Sequence, residues 1–391
     1  MQQESALLIG VLRQAVTEKK ELLVAENVDW NTFCVLTSAH NVCALVWHGL
    51  QDHQEVIEQM PEDLQKRMSG KYLHAIYRDS QLEYIKDSLE SALSQEKVPH
   101  IFLKGARLKY DYPVPALRTM CDMDVLVKTE DYERITKVSE NLGGSRYYGD
   151  GNHRNYQFPG GVAVEFHPNL IHPGTPVATQ INPGWQYAQE DVDGYCKSMT
   201  AEGIYLNTIC HLAEHFIAGG VGVRFVLDVW ICNHRSKPYD REFVQKELKR
   251  FHLLDFAEKI EALAEVWFSG KETTPLLEEL GEYILTSGSH GRKDRAMLNA
   301  VSLSPGGNRF SALWHKVFYP REELEIRYPW SRGKPWLLPA AWCARAFGAV
   351  TQRGHLIRKW SSGTGEVTRE AAEQQRRKLA SFGITRNKDR K

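Results

Sequence analysis

Two aspartates separated by one residue, Asp122 and Asp124 in the run MCDMDVLV at 120–127, are the side chains best placed to do chemistry. The run is β-branched and apolar, so it reads as a strand, where an unpaired charge is unfavourable. Alternation puts Asp122, Asp124 and Leu126 on one face and Met123, Val125 and Val127 on the other, with the two carboxylates about 6 to 7 Å apart. Like charges so placed repel unless a cation lies between them. Oxygen ligands at this spacing suit Mg²⁺ (or Mn²⁺), which completes its shell with water and substrate phosphate oxygens.

A third acid comes in the same way. In VAVEFH at 162–167, alternation gives Ala163, Glu165 and His167 to one side, so Glu165 is an isolated carboxylate on a short strand. Beside Asp122 and Asp124 it would complete a cage for two ions about 3.5 to 4 Å apart, the arrangement used for in-line displacement at phosphorus. Sequence alone does not pair the strands. Upstream, Lys104-Gly105 ends another apolar run; glycine admits a phosphate close to the backbone and lysine offers it a compact charge, or the pair is a plain turn with a solvated lysine. Arg118 either clamps phosphate with two nitrogens or pairs with a neighbouring carboxylate.

Those side chains need rigid elements to hold them. Helical spacing recurs through 5–26 and 31–50, and a long helix over 61–95 leads into a strand after Pro99. Beyond the D-x-D strand, Thr129 with Glu130, Asp131 and Glu133 starts a helix whose stripe is Tyr132, Ile135, Val138 and Leu142, closed by Gly143-Gly144. A turn at Asp150-Gly151-Asn152 precedes HRNYQF, and Pro159-Gly160-Gly161 makes a hairpin that delivers Glu165. His153 and His167 flank that hairpin, either facing substrate or sitting at the surface. The Pro-, Gly- and Thr-rich stretch 169–186 reads as a linker and places a domain boundary. The chain then turns helical, with Asn207, His211, Glu214 and His215 on one helix face, and with Arg224 and Asp228 four apart, spaced to pair with each other.

The motifs LKG at 103–105, YPVPALR at 112–118, DMDVLV at 122–127 and VEFH at 164–167, in that order, resemble the uncharacterised bacterial nucleotidyltransferase family of the polymerase β superfold. The resemblance covers roughly 31–235. It implies an α+β fold, a small mixed sheet flanked by helices, with two divalent cations. It also implies transfer of a nucleoside monophosphate from a nucleoside triphosphate, ATP first among them, to a hydroxyl acceptor. One departure stands out: the superfold has a Gly-Ser pair shortly before its D-x-D, whereas here Gly105 follows a lysine and lies seventeen positions before Asp122. The expected organisation is an N-terminal helical cap (1–95), the nucleotidyltransferase core (96–172), a helical domain closing one wall of the cleft (173–350) and a basic, mobile tail (351–391).

Composition narrows the function further. Lys plus Arg and Asp plus Glu both number 49 among 391 residues, so no global basic field favours bulk binding to nucleic acid. The seven cysteines are scattered and never spaced C-x-x-C, which fits a reducing cytoplasm better than a disulfide framework or zinc ribbon. The N-terminus lacks the basic flank of a secretory signal, and the apolar stretch 335–350 is interrupted by Arg345 and falls short of the ~20 residues that span a bilayer. From 353 onward eleven basic residues face four acidic ones, with few large apolar side chains, the basis for expecting a tail outside the core.

Two rival readings remain open at this level. HLAEH at 211–215 has the H-x-x-E-H spacing that sets two zinc-ligating histidines and a glutamate base on one helix, but it supplies no third ligand. The other rival is a nucleotide-binding protein that keeps the fold without the chemistry; three intact acids argue against it.

Overall fold

β-Branched and aromatic residues bounded by Gly and Pro form five short strands, and the periodic segments form helices around them. The computed structural model describes residues 2–19, 27–147, 153–171, 181–189, 194–289, 291–304, 306–312, 321, 324–325, 328–345 and 367–385. The strands are β1 (His100–Phe102), β2 (Asp122–Val127), β3 (Ser145–Tyr147), β4 (Arg154–Phe158) and β5 (Val162–His167). They form one mixed sheet in the order β1-β2-β5-β4-β3, in which β2 and β5 run parallel and the other neighbours antiparallel. Before the sheet come α1 (Gln3–Thr17), α2 (Trp30–Ala39), α3 (Cys43–Leu50) and α4 (Glu62–Gln95), and α5 (Tyr132–Asn141) follows β2. After it come α6 (Ala201–Ile217), α7 (Val223–His234), α8 (Arg241–Arg250), α9 (Leu254–Ala264), α10 (Pro275–Leu285), α11 (Lys293–Leu303) and α12 (Arg369–Ser381). The fold is α+β, with helices flanking the sheet.

The two faces of β2 belong to different environments. Met123, Val125 and Val127 pack with Val162, Val164 and Phe166 of β5, with Leu82, Ile85, Leu89 and Leu93 of α4, and with Ile135 and Val138 of α5. Each such side chain taken from water contributes about 1.5 to 3 kcal/mol, enough to fix which face points inward. Leu126, on the other face with the aspartates, joins Ile101 and Leu103 in a larger core built by the helices.

That larger core unites both ends of the chain. Leu7, Leu8, Val11 and Leu12 of α1 lie in it with Phe216, Leu227, Phe256, Ile260 and Ile284 from the helices after the sheet. The segments expected on either side of the sheet thus share one apolar interior. Helix α4 serves both cores, giving Leu64, Met68 and Ala75 to the larger and its C-terminal half to the smaller. The expected linker at 169–186 lies partly outside the described residues, and the turn at 150–152 wholly outside them.

Within the expected basic tail, which read as mobile or weakly helical, residues 367–385 are folded and packed. Thr368 accepts a hydrogen bond from Ala371 N–H and starts α12, whose Leu379, with the following Phe382, is fully buried in the helical core. A few buried residues on one helical face, Ala372, Gln375 and Leu379, suffice to dock a segment whose other face carries the charges. Residues 346–366 and 386–391 lie outside the described residues. Among the described residues no helix is long and apolar enough to cross a membrane.

Candidate active site

The third acid meets the pair because β5 runs parallel beside β2 in a register that sets Asp124 against Glu165, Asp122 against Ala163 and Leu126 against His167. The hairpin fixes that register: Phe158 pairs with Val162 across the three-residue turn Pro159–Gly161, in which Gly160 and Gly161 have φ of 73° and 72°. Arg78 of α4 donates to both of their carbonyl oxygens at 2.6 Å, tying the turn to the helix. Asn155 of β4 pairs with Glu165, and Tyr147 of β3 with Asn155, so these two belong to the same face. Neither was singled out in the sequence, where only strand pairing could have brought them in.

Charge at the cluster is graded. Asp124 is buried; Asp122 and Glu165 are half-buried and reachable. Lys104 Nζ lies 2.8 Å from Asp124 Oδ1, and His167 Nε2 lies 2.8 Å from the same oxygen and 3.4 Å from Glu165 Oε2. Burial opposes the charge on Asp124, but Lys104 and His167 outweigh it and hold the carboxyl well below the usual range. Burial, then Asp124 and Glu165, push Asp122 upward instead. Contact with His167, against some burial, lowers Glu165. Burial works against the charge on His167, and the nearby Asp124 and Glu165 overcome it, raising its pKa.

His167, one of the two histidines expected beside the hairpin, joins the acids. Its Nε2 is buried at those short distances from the two carboxylates. His153 stands beside it, ring centroids 4.2 Å apart, and the ligating atoms of His153, Glu165 and His167 all lie within 4.8 Å of one another. The sequence signal was present, since alternation put Glu165 and His167 on one side. Carboxylate oxygens of Asp122, Asp124 and Glu165 with a buried imidazole nitrogen among them form a donor set that fits divalent cations.

Lys104 sits where β1 gives way to one helical turn, Gly105–Leu108. Its φ of 47° with ψ of −122° is a strained backbone for a residue with a Cβ, held by the bond from Leu103 N–H to Asp124 O at 2.9 Å and by the ammonium's pairing with Asp124. Burial disfavours the ammonium, yet Asp124 and Asp122 keep its pKa above the ordinary value. Gly105 also makes room for a neighbouring side chain. A Cβ there would lie 2.1 Å from Nη1 of Arg118.

Arg118 resolves toward the carboxylate alternative. Its Nε and Nη2 donate to Asp228 at 3.2 and 2.7 Å, Tyr112 Oη donates to the same carboxylate at 2.7 Å, and the group is buried. A guanidinium so engaged is not open as a two-nitrogen phosphate clamp. The pairing of Arg224 with Asp228 read from their spacing is likewise corrected: Arg224 Nη1 donates to Thr119 O at 2.6 Å, because Arg118 and Tyr112 hold Asp228 from across the fold. The loop carrying these residues is anchored by buried Lys109, which pairs with Asp79 and Glu83 of α4.

Helix α6 forms a wall near Lys104. Burial and then the Lys104 charge hold His211 well below its ordinary pKa. His211 and His215 face each other with Nε2 atoms 2.9 Å apart. The zinc-peptidase reading gains no third ligand, since the metal-ligating group found among the described residues is His153, Glu165 and His167. A cleft of about 350 Å³, lined by Lys71, His74, Arg78, Thr119, Met120 and Cys121 among others, borders the two residues that lead directly into Asp122.

Comparison with protein-family models places the chain among the nucleotidyltransferases, a class of enzymes. It belongs to the family described as uncharacterised nucleotidyltransferase, whose model matches residues 26–269. The motifs read above lie within that match, and α10, α11 and α12 lie beyond it. No curated protein and no solved structure matches the chain.

Proposed function

We propose that the enzyme moves a nucleoside monophosphate from a nucleoside triphosphate, ATP being the first to offer, onto a hydroxyl acceptor with release of pyrophosphate. The acceptor class we favour is a small molecule or a protein side chain, since the balanced charge gives no field for bulk nucleic acid. The observation that carries the reading is the pairing of Asp124 with Glu165, which sets all three acids on one accessible sheet face.

Asp122 and Asp124 would hold one divalent cation, Mg²⁺ or Mn²⁺, and these two with Glu165 a second. Such ions supply Lewis acidity at the phosphates and at the attacking oxygen. The chain does the rest. Glu165, half-buried and beside the pair, accepts the proton of the acceptor hydroxyl as its oxygen attacks the α-phosphorus. Lys104, one contact from Asp124, neutralises charge growing on the departing phosphates. Gly105 serves by leaving room for Arg118, and Arg118 with Asp228 and Tyr112 fixes the loop that enters β2.

The test is transfer of α-labelled nucleotide in the presence of Mg²⁺ or Mn²⁺ to a pool of small molecules and proteins. Asp124→Asn is expected to lose nearly all transfer while its circular dichroism stays that of the parent. Near-normal transfer by that variant would reject the mechanism.

A further inference from the structure

Three acids would be enough for an oxygen-only site, yet two histidines crowd onto one side of the cluster. Arg154 pairs with Phe166 in the β4–β5 ladder, so His153, one residue earlier, comes opposite His167 at the end of β5. Their rings are tilted by 60° instead of stacking face to face, and both bring a nitrogen to within 4.8 Å of a Glu165 oxygen and of each other. Ligands about 2.0 to 2.2 Å from a common ion lie about 3 to 4 Å apart, so a small inward movement would close the set.

The second observation is the nitrogen of His167. It is buried between two carboxylates, 2.8 Å from Asp124 Oδ1 and 3.4 Å from Glu165 Oε2, so an imidazole nitrogen and carboxylate oxygens converge on one small volume. Asp124 Oδ1, 2.8 Å from that nitrogen, stands ready as a fourth ligand shared with the aspartate pair.

We propose that His153, Glu165 and His167, with Asp124 alongside, form a mixed nitrogen and oxygen site for a later first-row transition ion such as Co²⁺ or Zn²⁺, which Mg²⁺ does not fill. The inference rests on the nucleotidyl-transfer reading and revises one part of it: the second ion, given there to Asp122, Asp124 and Glu165, takes His153 and His167 in place of Asp122 and is not Mg²⁺. Mg²⁺ takes oxygen ligands and gives up water reluctantly, whereas imidazole favours the later divalent ions in the Irving–Williams order. The two positions of one active site then differ in kind: oxygen ligands from Asp122 and Asp124 on one side, imidazole and carboxylate on the other.

The full chain, stripped with a chelator, is titrated with Co²⁺ in a large excess of Mg²⁺ and its visible d–d absorption recorded. One tightly bound Co²⁺ per chain is expected, insensitive to Mg²⁺, with affinity falling at least about tenfold in His167→Gln and in His153→Gln. Circular dichroism monitors folding; half-buried His153 carries the test if the His167 variant does not fold. Free displacement of Co²⁺ by Mg²⁺, or variants that bind like the parent, overturns the site. The two readings fail separately. A chain that binds Co²⁺ in this way but never consumes a triphosphate rejects the transfer reaction and keeps the site. One that transfers label with Mg²⁺ alone and gives no Co²⁺ spectrum does the reverse.

Discussion

Arg118 holds Asp228 through Nε and Nη2 at 3.2 and 2.7 Å, joining the loop that enters β2 to helix α7 across 110 residues of chain. Because both partners are buried, removing one leaves a charge in a poorly polarisable interior. Asp228→Ala is expected to destabilise the fold by about 3 to 5 kcal/mol in urea denaturation, while Arg118→Met with Asp228→Leu together lose far less than the sum of the single changes. A loss below about 1 kcal/mol for Asp228→Ala, the value of an exposed pair, would show the link to be incidental.

His40 gives stability a pH dependence of known sign. Its Nε2–H donates to Leu285 O at 3.1 Å and its Nδ1 accepts from Val223 N–H at 3.2 Å, so the neutral ring joins the end of α2 to α7 and α10. Protonation at Nδ1 breaks the second bond, and burial pushes the pKa down to about 4 despite the Leu285 carbonyl. With an unfolded value near 6.5, the unfolded chain binds the proton first as pH falls. Its contribution is therefore complete above pH 6.5 and lost between there and pH 4, about 3 kcal/mol in all. Urea midpoints for the parent should drop over this window by more than those of His40→Gln. Equal slopes in the two proteins would contradict the assignment.

Leu379 tests the docking of the C-terminal helix. It is fully buried against the helical core, so Leu379→Ala should cost about 2 to 5 kcal/mol by thermal or urea unfolding. An unchanged midpoint would return the segment to the solvated tail that its composition suggests.

What the sequence revealed, and what it hid, divides along physical lines. The shared orientation of Asp122 and Asp124 was legible because strand alternation is local, and so was the hairpin carrying Glu165, announced by Pro159-Gly160-Gly161. That Glu165 falls beside Asp124 was not legible, because pairing between strands is decided by the packing of both faces. The helical spacing of Arg224 and Asp228 suggested a pair, and a guanidinium 110 residues away won that carboxylate. Long-range competition of this kind leaves no mark in a local pattern. Composition misled at the C-terminus for a related reason: the count of charges in 367–385 says nothing about their confinement to one side of α12. His167 fell between these cases, its side of the strand readable and its crowded neighbours not.

Helix α4, 34 residues and about 51 Å long, is embedded at one end among the helices and at the other against the sheet. An unbroken rod clamped at both ends resists bending, so the sheet that carries the three acids cannot swing away from the helical body without stripping apolar side chains from one clamp.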